Sequence, residues 1–391
     1  MQKITVIGAG LAGLTAAIAA AEGGAQVVVH EAHREIGGRA RTTPPPYIAH
    51  EGGHAIYADG PHWTWLTERD LVGPTVGLSM REGRALRLHW HGGLRRLPPA
   101  ELTRVLLHRR LRAPVDQDFH SWAGARFGAS AARTAANALG VVTYDHDPGR
   151  LSAAFVWDLL LRVSAPQRPV VRYVIGGWPR LIERMRARAA WLGVRIETGS
   201  RVHELPDPPV IVATQLEAAG RLLGRPDLSW ESGRTALLDL GLRAHPDDLF
   251  AIFDLDEAGV VARLSGPDPT LAPEGHSLLQ AMMPLRPGEP RDAATARLEA
   301  LLDLGFPAWR ERVDWRRDAV AAGRSGALDL PGHTWRDRPA VERGGGVFLA
   351  GDLVAAPGMR GEVSINSGLL AARAALRHAA HRPAEAPISG G

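Results

Sequence analysis

A strand, a glycine-rich turn, a helix and a second strand follow one another within the first 31 residues, and no other stretch of the chain restricts the fold as tightly. Ile4-Thr-Val-Ile7 is apolar and β-branched, Leu11 to Glu22 is an Ala/Leu stretch without proline, and Gln26 to Glu31 is a second apolar run. The spacing predicts a strand over 2–7, a helix over 11–22 and a strand over 26–31, which is a βαβ unit of a parallel sheet. Its turn reads Gly8-Ala-Gly10-Leu-Ala12-Gly13. The first glycine permits the tight turn, the second lets backbone approach a pyrophosphate, and the third lets helix pack closely on strand. The helix start then offers unpaired N–H groups and the positive end of its dipole to phosphate. Glu31 ends the second strand, where an acidic side chain accepts the ribose hydroxyls of a dinucleotide. The motif alone leaves NAD and FAD both open.

The chain has 391 residues, too many for one small core, and is 45% hydrophobic and 23% charged, an ordinary globular balance. No run approaches the ~18 apolar residues of a transmembrane helix. Met1-Gln-Lys3 passes straight into the first strand, so no cleavable leader is expected. Cysteine is absent, which excludes disulfides, thiolate nucleophiles, cysteine-ligated zinc, iron–sulfur clusters and a flavin tethered through a thioether. A reducing cytoplasm is the expected location. The net charge of +4 comes from arginines spread along the chain, since Lys3 is its only lysine. That pattern reads as a solvated surface, and no nucleic-acid partner is expected.

Further motifs decide the cofactor. After Glu31 the chain reads Ala-His-Arg-Glu-Ile-Gly37-Gly38-Arg39-Ala-Arg41-Thr42, then Glu51-Gly-Gly-His54. Near the other end come Val347-Phe-Leu-Ala-Gly351-Asp352 and Gly358-Met359-Arg360-Gly-Glu362-Val363-Ser364-Ile365-Asn-Ser367-Gly368. The pattern Glu-x(5)-Gly-Gly-Arg-x(2)-Thr and the C-terminal motif resemble the FAD-dependent amine oxidase, phytoene desaturase and protoporphyrinogen oxidase superfamily. The resemblance extends to the middle, where Gly176-Gly177-Trp178-Pro179 opens a helix leading to Val194-Arg-Ile196 and Val202.

The resemblance implies an α/β fold: a discontinuous Rossmann-like FAD-binding domain from 1–85, 170–235 and 340–381, and a substrate domain from 86–169 and 236–339. Residues 209–214 would be a returning strand of the first domain, and 382–391 a flexible tail. In the second domain, Thr235–Leu242, Leu249–Asp254, Val260–Leu264 and Ser277–Met283 read as strands of a mostly antiparallel sheet, and Arg291–Leu304 as an amphipathic helix. The strand around Trp315 resembles the one that leads back toward the flavin.

Carried over residue by residue, the resemblance implies that Gly8, Gly10, Ala12 and Gly13 surround the pyrophosphate of a noncovalent FAD and that Glu31 holds the adenosine ribose. Gly38 and Arg39 would lie along the pyrophosphate and ribityl side, and Val202 would read the adenine edge through its backbone. Asp352, after Gly351, would hold a ribityl or phosphate oxygen. The N–H groups of Val363, Ser364 and Ile365 would face the flavin N1–C2=O edge, where reduced flavin carries negative charge that a helix start favours.

Many amine oxidases of this superfamily place a lysine, through a water, at flavin N5. Lys3, at the start of the nucleotide-binding strand, cannot serve there. That shifts the expectation toward a desaturase-type oxidoreductase taking a hydride from a largely apolar substrate, carotenoid-like or a secondary metabolite, with O2 or another electron acceptor closing the cycle. A flavin amine oxidase without the lysine–water device and a non-redox flavin isomerase are the rival readings, and a binding protein that has lost the chemistry is a third. Candidate catalytic residues are His54, a proton acceptor near neutral pH, Arg360, which would bind an acidic group, and Glu362, which would act or merely cap the helix. His89-Trp-His91 has a spacing some metal sites use, but no cysteine or acid stands beside it in sequence, and no metal is expected. Residues 102–112 read as an amphipathic helix with a basic face, expected to touch an anionic membrane weakly or to pack on its own domain. Oligomeric state is not readable.

Overall fold

The structure, a computed structural model, describes residues 2–53, 55–165 and 171–381. The chain forms two compact units. The first comprises Met1–Arg39, Ile182–Ser229 and Arg338–Gly391, the second Ala40–Leu181 and Trp230–Asp337.

The first unit is a five-stranded, all-parallel sheet. Its order is Val347–Leu349, Val210–Val212, Lys3–Ile7, Gln26–Glu31 and Arg195–Thr198. Such a sheet is buried on both faces, which is why Val210–Val212 is an uninterrupted apolar run. The helix Leu11–Glu22 makes the crossover between the first two strands. It packs closely on the C-terminal helix Gly361–His381. A Cβ on Gly368 would lie 2.6 Å from Ala12 O, so this glycine lets the two backbones approach.

The second unit is built on a seven-stranded sheet in the order Val313–Ala327, Ser232–Arg243, His276–Pro284, Val260–Arg263, Ala251–Asp254, Leu86–Trp90 and Gly93–Arg95. All neighbours are antiparallel except Ala251–Asp254 with Leu86–Trp90. The expected antiparallel strands are therefore present. One face is an aliphatic core: Leu238, Leu240, Leu242, Leu279 and Met283 pack against Leu298, Leu302 and Phe306 of the helix Arg291–Gly305 and its end. Each such leucine contributes about 1.5–3 kcal/mol of transfer free energy. The other face carries Trp315, Gly241 and Leu278 in one row, Arg317, Asp239 and Gln280 in the next, and Ala319, Leu237 and Met282 in a third.

Residues 40–85 and 171–181 belong to the second unit rather than with the nucleotide-binding segments. The cause is local packing. Tyr47 and Ala49 form one cluster with Leu264, Leu271 and Leu278, and both Ala55–Tyr57 and Thr75–Val76 pair with Val171–Val174. The tail 382–391 lies outside the described residues.

The expected amphipathic helix over 102–112 is corrected to Ala100–Leu106. His108 N–H donates to Val105 O, one residue short of the α-helical partner, while the His108 ring takes Arg104 O at 2.9 Å. Its cations are also engaged: Arg104 bonds Phe127 O, and Arg109 donates to Leu161 O and Ser164 O. The helical face over 102–112 is therefore not continuous. Among the described residues, no helix is long and apolar enough to cross a membrane.

Candidate functional site

The parallel strands of the first unit end at the residues expected to hold a dinucleotide, the place where ligands of open α/β sheets bind. The three glycines of the turn differ in what demands them. Gly8 has φ +103°, and a Cβ there would stand 2.6 Å from Ala213 O. A Cβ at Gly13 would fall 1.8 Å from Gly8 O, so its absence lets the helix lie against the turn. At Gly10 a Cβ would meet nothing nearer than 3.9 Å. Its φ of −80° suits any residue, and it starts a helix that has no side-chain cap and no acid in its first turn. Protein packing gives no reason for this glycine. An uncapped helix start where the packing would tolerate a side chain but has none fits the approach of a pyrophosphate. Ala12 sits buried in the first turn, and Gly38, at φ +54°, closes the other side, where a Cβ would come 3.3 Å from Gly10 Cα.

Glu31 is buried, and its two carboxylate oxygens accept Ala9 N–H at 2.8 Å and His33 N–H at 2.9 Å. Each oxygen keeps a lone pair, so the carboxylate is fixed and can still accept a hydroxyl. Ser200 N–H donates to Glu31 O at 2.8 Å and Gly199 N–H to His33 O at 2.8 Å, which brings the loop carrying Val202 alongside. Val202 is half-buried, and its N–H has no acceptor among the described residues.

Arg39 and Asp352, 313 residues apart, form an ion pair at 2.5 Å, with Asp352 the more buried partner. The turn at Gly351 is tied to the C-terminal helix by Ser367, whose hydroxyl accepts Gly351 N–H at 2.9 Å and donates to Gly351 O at 3.1 Å. Sequence reasoning assigned Ser367 no role, and a tie across 16 residues leaves no local signal. At the start of that helix Ser364 N–H donates to Arg360 O at 3.3 Å, and Ile365 lies one residue further in. Val363 N–H has no acceptor among the described residues. Glu362 accepts Met359 N–H at 3.1 Å, a helix-capping bond. Arg360, immediately before the helix, has φ +54°, a left-handed conformation that a side chain of this kind adopts only when its surroundings impose it.

In the second unit, His54 lies outside the described residues. His89, contrary to its sequence surroundings, has acids beside it: its Nδ1 is 2.8 Å from Asp254 and 3.7 Å from Asp256. His91 does not join them. Its N–H and that of Gly92 donate to Asp256, and Asp254 also accepts Asp256 N–H, so the group fastens a hairpin turn to a neighbouring strand end. The hydrogen bond to Asp254, together with the nearby acids, raises the His89 pKa against the effect of burial. On the face of the large sheet opposite the aliphatic core, Asp239 is fully buried and accepts from Gln280 and Arg317, while burial raises its carboxyl against the pull of Arg317. Tyr47 and Trp315 stack with centroids 5.7 Å apart.

This geometry is that of a Rossmann-like dinucleotide-binding fold. Residues 6–70 match the model of an NAD(P)-binding Rossmann-like domain, and residues 254–376 match that of flavin-containing amine oxidoreductases. Sequence comparison with curated proteins finds no match. Among solved structures, an oxidoreductase from Methanosarcina mazei aligns with a TM-score of 0.75 at 16% identity, covering 94% of this chain and 99% of that one. Cyclohexylamine oxidase from Brevibacterium oxydans gives 0.70 at 16% identity, covering 96% and 99%. Reduced UDP-galactopyranose mutase gives 0.69 at 15%, covering 97% and 93%. At such identities the structural likeness speaks for the fold. The two family matches, together with these neighbours, support the flavin-dependent amine oxidase superfamily and an FAD-dependent oxidoreductase.

Proposed function

We propose that the chain binds FAD noncovalently in its first unit and takes a hydride from a largely apolar substrate, a carotenoid-like or secondary-metabolite molecule, with O2 or another acceptor receiving the electrons. The observation that carries the cofactor assignment is the uncapped helix start at Gly10, a glycine that neither its φ nor a close protein contact requires. Gly8, Gly10, Ala12, Gly13 and Gly38 border the pyrophosphate, Glu31 accepts the ribose hydroxyls, and Val202 offers its N–H to the adenine edge. Arg39, oriented by Asp352, sets its cation toward the phosphates and ribityl chain. Val363 N–H, at the positive end of a 21-residue helix, favours negative charge on the cofactor's pyrimidine edge. Bound FAD supplies a two-electron acceptor, and the absence of cysteine supports a noncovalent mode.

Two features favour carbon oxidation over amine oxidation. Lys3, the chain's one lysine, is exposed at the start of the nucleotide-binding strand. Tyr47 and Trp315 lie at 22° and in mutual contact, which leaves no gap for an amine between them. Arg360 and Glu362, in the first unit, are candidates at the helix start, and His54 is a proton acceptor to be tested by substitution. Purified protein is expected to be yellow and to release FAD into the filtrate on acid precipitation. Colourless protein that stays so after reconstitution overturns the reading. Anaerobic addition of a true substrate bleaches the flavin stoichiometrically, whereas turnover without bleaching identifies an isomerase instead.

A further inference from the structure

On the sheet face opposite the aliphatic core of the second unit, the middle row differs from its neighbours. The rows beside it are apolar or aromatic: Trp315, Gly241 and Leu278 on one side, Ala319, Leu237 and Met282 on the other. Between them stand Arg317, Asp239 and Gln280. Asp239 is fully buried, and removing a carboxylate from water costs far more than burying another leucine in that position. What the row achieves is the fixing of one guanidinium. Arg317 Nε donates to Asp239 Oδ2 at 2.8 Å, and its Nη2 reaches the same oxygen at 2.6 Å and His50 O at 2.5 Å. Gln280 holds the other carboxylate oxygen at 2.9 Å and also donates to His50 O at 3.1 Å.

Two groups, Asp239 and His50 O, thus lock one edge of the guanidinium, and Gln280 ties both of them. The other terminal nitrogen, Nη1, has no acceptor among the described residues, and 24% of the side chain stays accessible. Two N–H donors of a pre-oriented cation are left over, flanked along the same strand face by Ala319 and by the half-buried Trp315 ring, which stacks on Tyr47.

We propose that Arg317 is an anchor for the carboxylate of a ligand whose apolar body lies along Trp315 and Ala319. Because Asp239 balances the charge, selection comes from directed donors rather than from net attraction, and a planar oxygen pair meets a guanidinium edge better than an ammonium or an amide does. This rests on the oxidoreductase reading only in naming the ligand as substrate, and binding is measurable without turnover.

The test is calorimetric titration of the holoenzyme with 4-phenylbutyrate, 4-phenylbutyramide and 4-phenylbutylamine, with flavin content read from the visible spectrum of the same sample. The acid is expected to bind roughly tenfold or more tighter than the amide, the worth of one charge-assisted hydrogen bond. The preference is expected to vanish in the double variant Asp239→Asn/Arg317→Met, which removes both charges together, and to shrink in Arg317→Lys. Equal binding of acid and amide, or an acid preference that survives in the double variant, overturns the proposal. If the double variant does not melt cooperatively, Arg317→Lys decides by the same comparison. Colourless protein would refute the flavin assignment and leave the carboxylate result standing.

Discussion

Replacing Gly10 by alanine separates the demands of a ligand from those of the fold. The new Cβ meets no protein atom within 3.9 Å, and the residue's φ of −80° is one alanine adopts freely. Relief of unfolded-chain entropy stabilises by about 0.4–1 kcal/mol, and the poorer helix-capping of alanine offsets it by a similar amount. The apo-protein should therefore melt within the equivalent of about 1 kcal/mol of wild type. A pyrophosphate in the same volume would be pushed off one or two helix N–H groups, each charge-assisted bond being worth about 1.5–3 kcal/mol. The expected loss is about 2–5 kcal/mol, a Kd for FAD raised roughly thirty- to several-thousand-fold. Fluorescence quenching of FAD titrated into apo-protein reads the affinity, and a thermal melt of the same sample reads the fold. Gly13→Ala is the contrast: its Cβ would lie 1.8 Å from Gly8 O, so overpacking of about 1–3 kcal/mol or more should appear in the melt itself. Undiminished FAD affinity in Gly10→Ala would refute the assignment of that space to phosphate.

Two other expectations follow from single contacts. His89 has its pKa raised in the folded protein, so its bond to Asp254 stabilises fully below its unfolded value of about 6.5 and is lost as pH rises through the folded value; His89→Gln should therefore destabilise more at about pH 6 than at about pH 9 in urea denaturation, and a difference independent of pH would contradict this. Ser367→Ala removes both bonds that pin the Gly351 turn; a cost of about 1–3 kcal/mol to the fold is expected, with FAD affinity lowered because Asp352 is no longer held, and unchanged affinity in a destabilised variant would show that the turn is structural only.

Periodicity and spacing reveal what is local. The strand Gln26–Glu31 and the helix Leu11–Glu22 were readable to the residue, since a β-branched run, a proline-free alanine helix and three glycines act within one βαβ unit. The helix after Pro99 was misread because its apolar spacing continues past Leu106 while hydrogen bonding does not. A histidine ring competing for Arg104 O is invisible to a periodic pattern. Leu86–Trp90 escaped notice as a sheet strand for another reason: it is partly exposed, and its pairing with Ala251–Asp254 spans 165 residues between His89 and Asp254.

The same division runs through the site. Glycines 8, 10 and 13 carry their reasons in their spacing, and the structure adds that only one of the three is left unexplained by the protein itself. Arg39 and Asp352 were each singled out by a motif, yet nothing in either motif says that they pair with one another. The Arg317–Asp239–Gln280 row was wholly illegible, because strand register decides it. A shift of one residue in either pairing would turn Asp239 toward the aliphatic core that Leu238 and Leu240 occupy. A carboxylate there would face leucines with no partner, so the apolar alternation that sets the register also places the buried acid beneath Arg317. The charge row and the core on the opposite face are therefore specified by one pattern: substituting the row leaves the register intact, while disrupting the core would take the row with it.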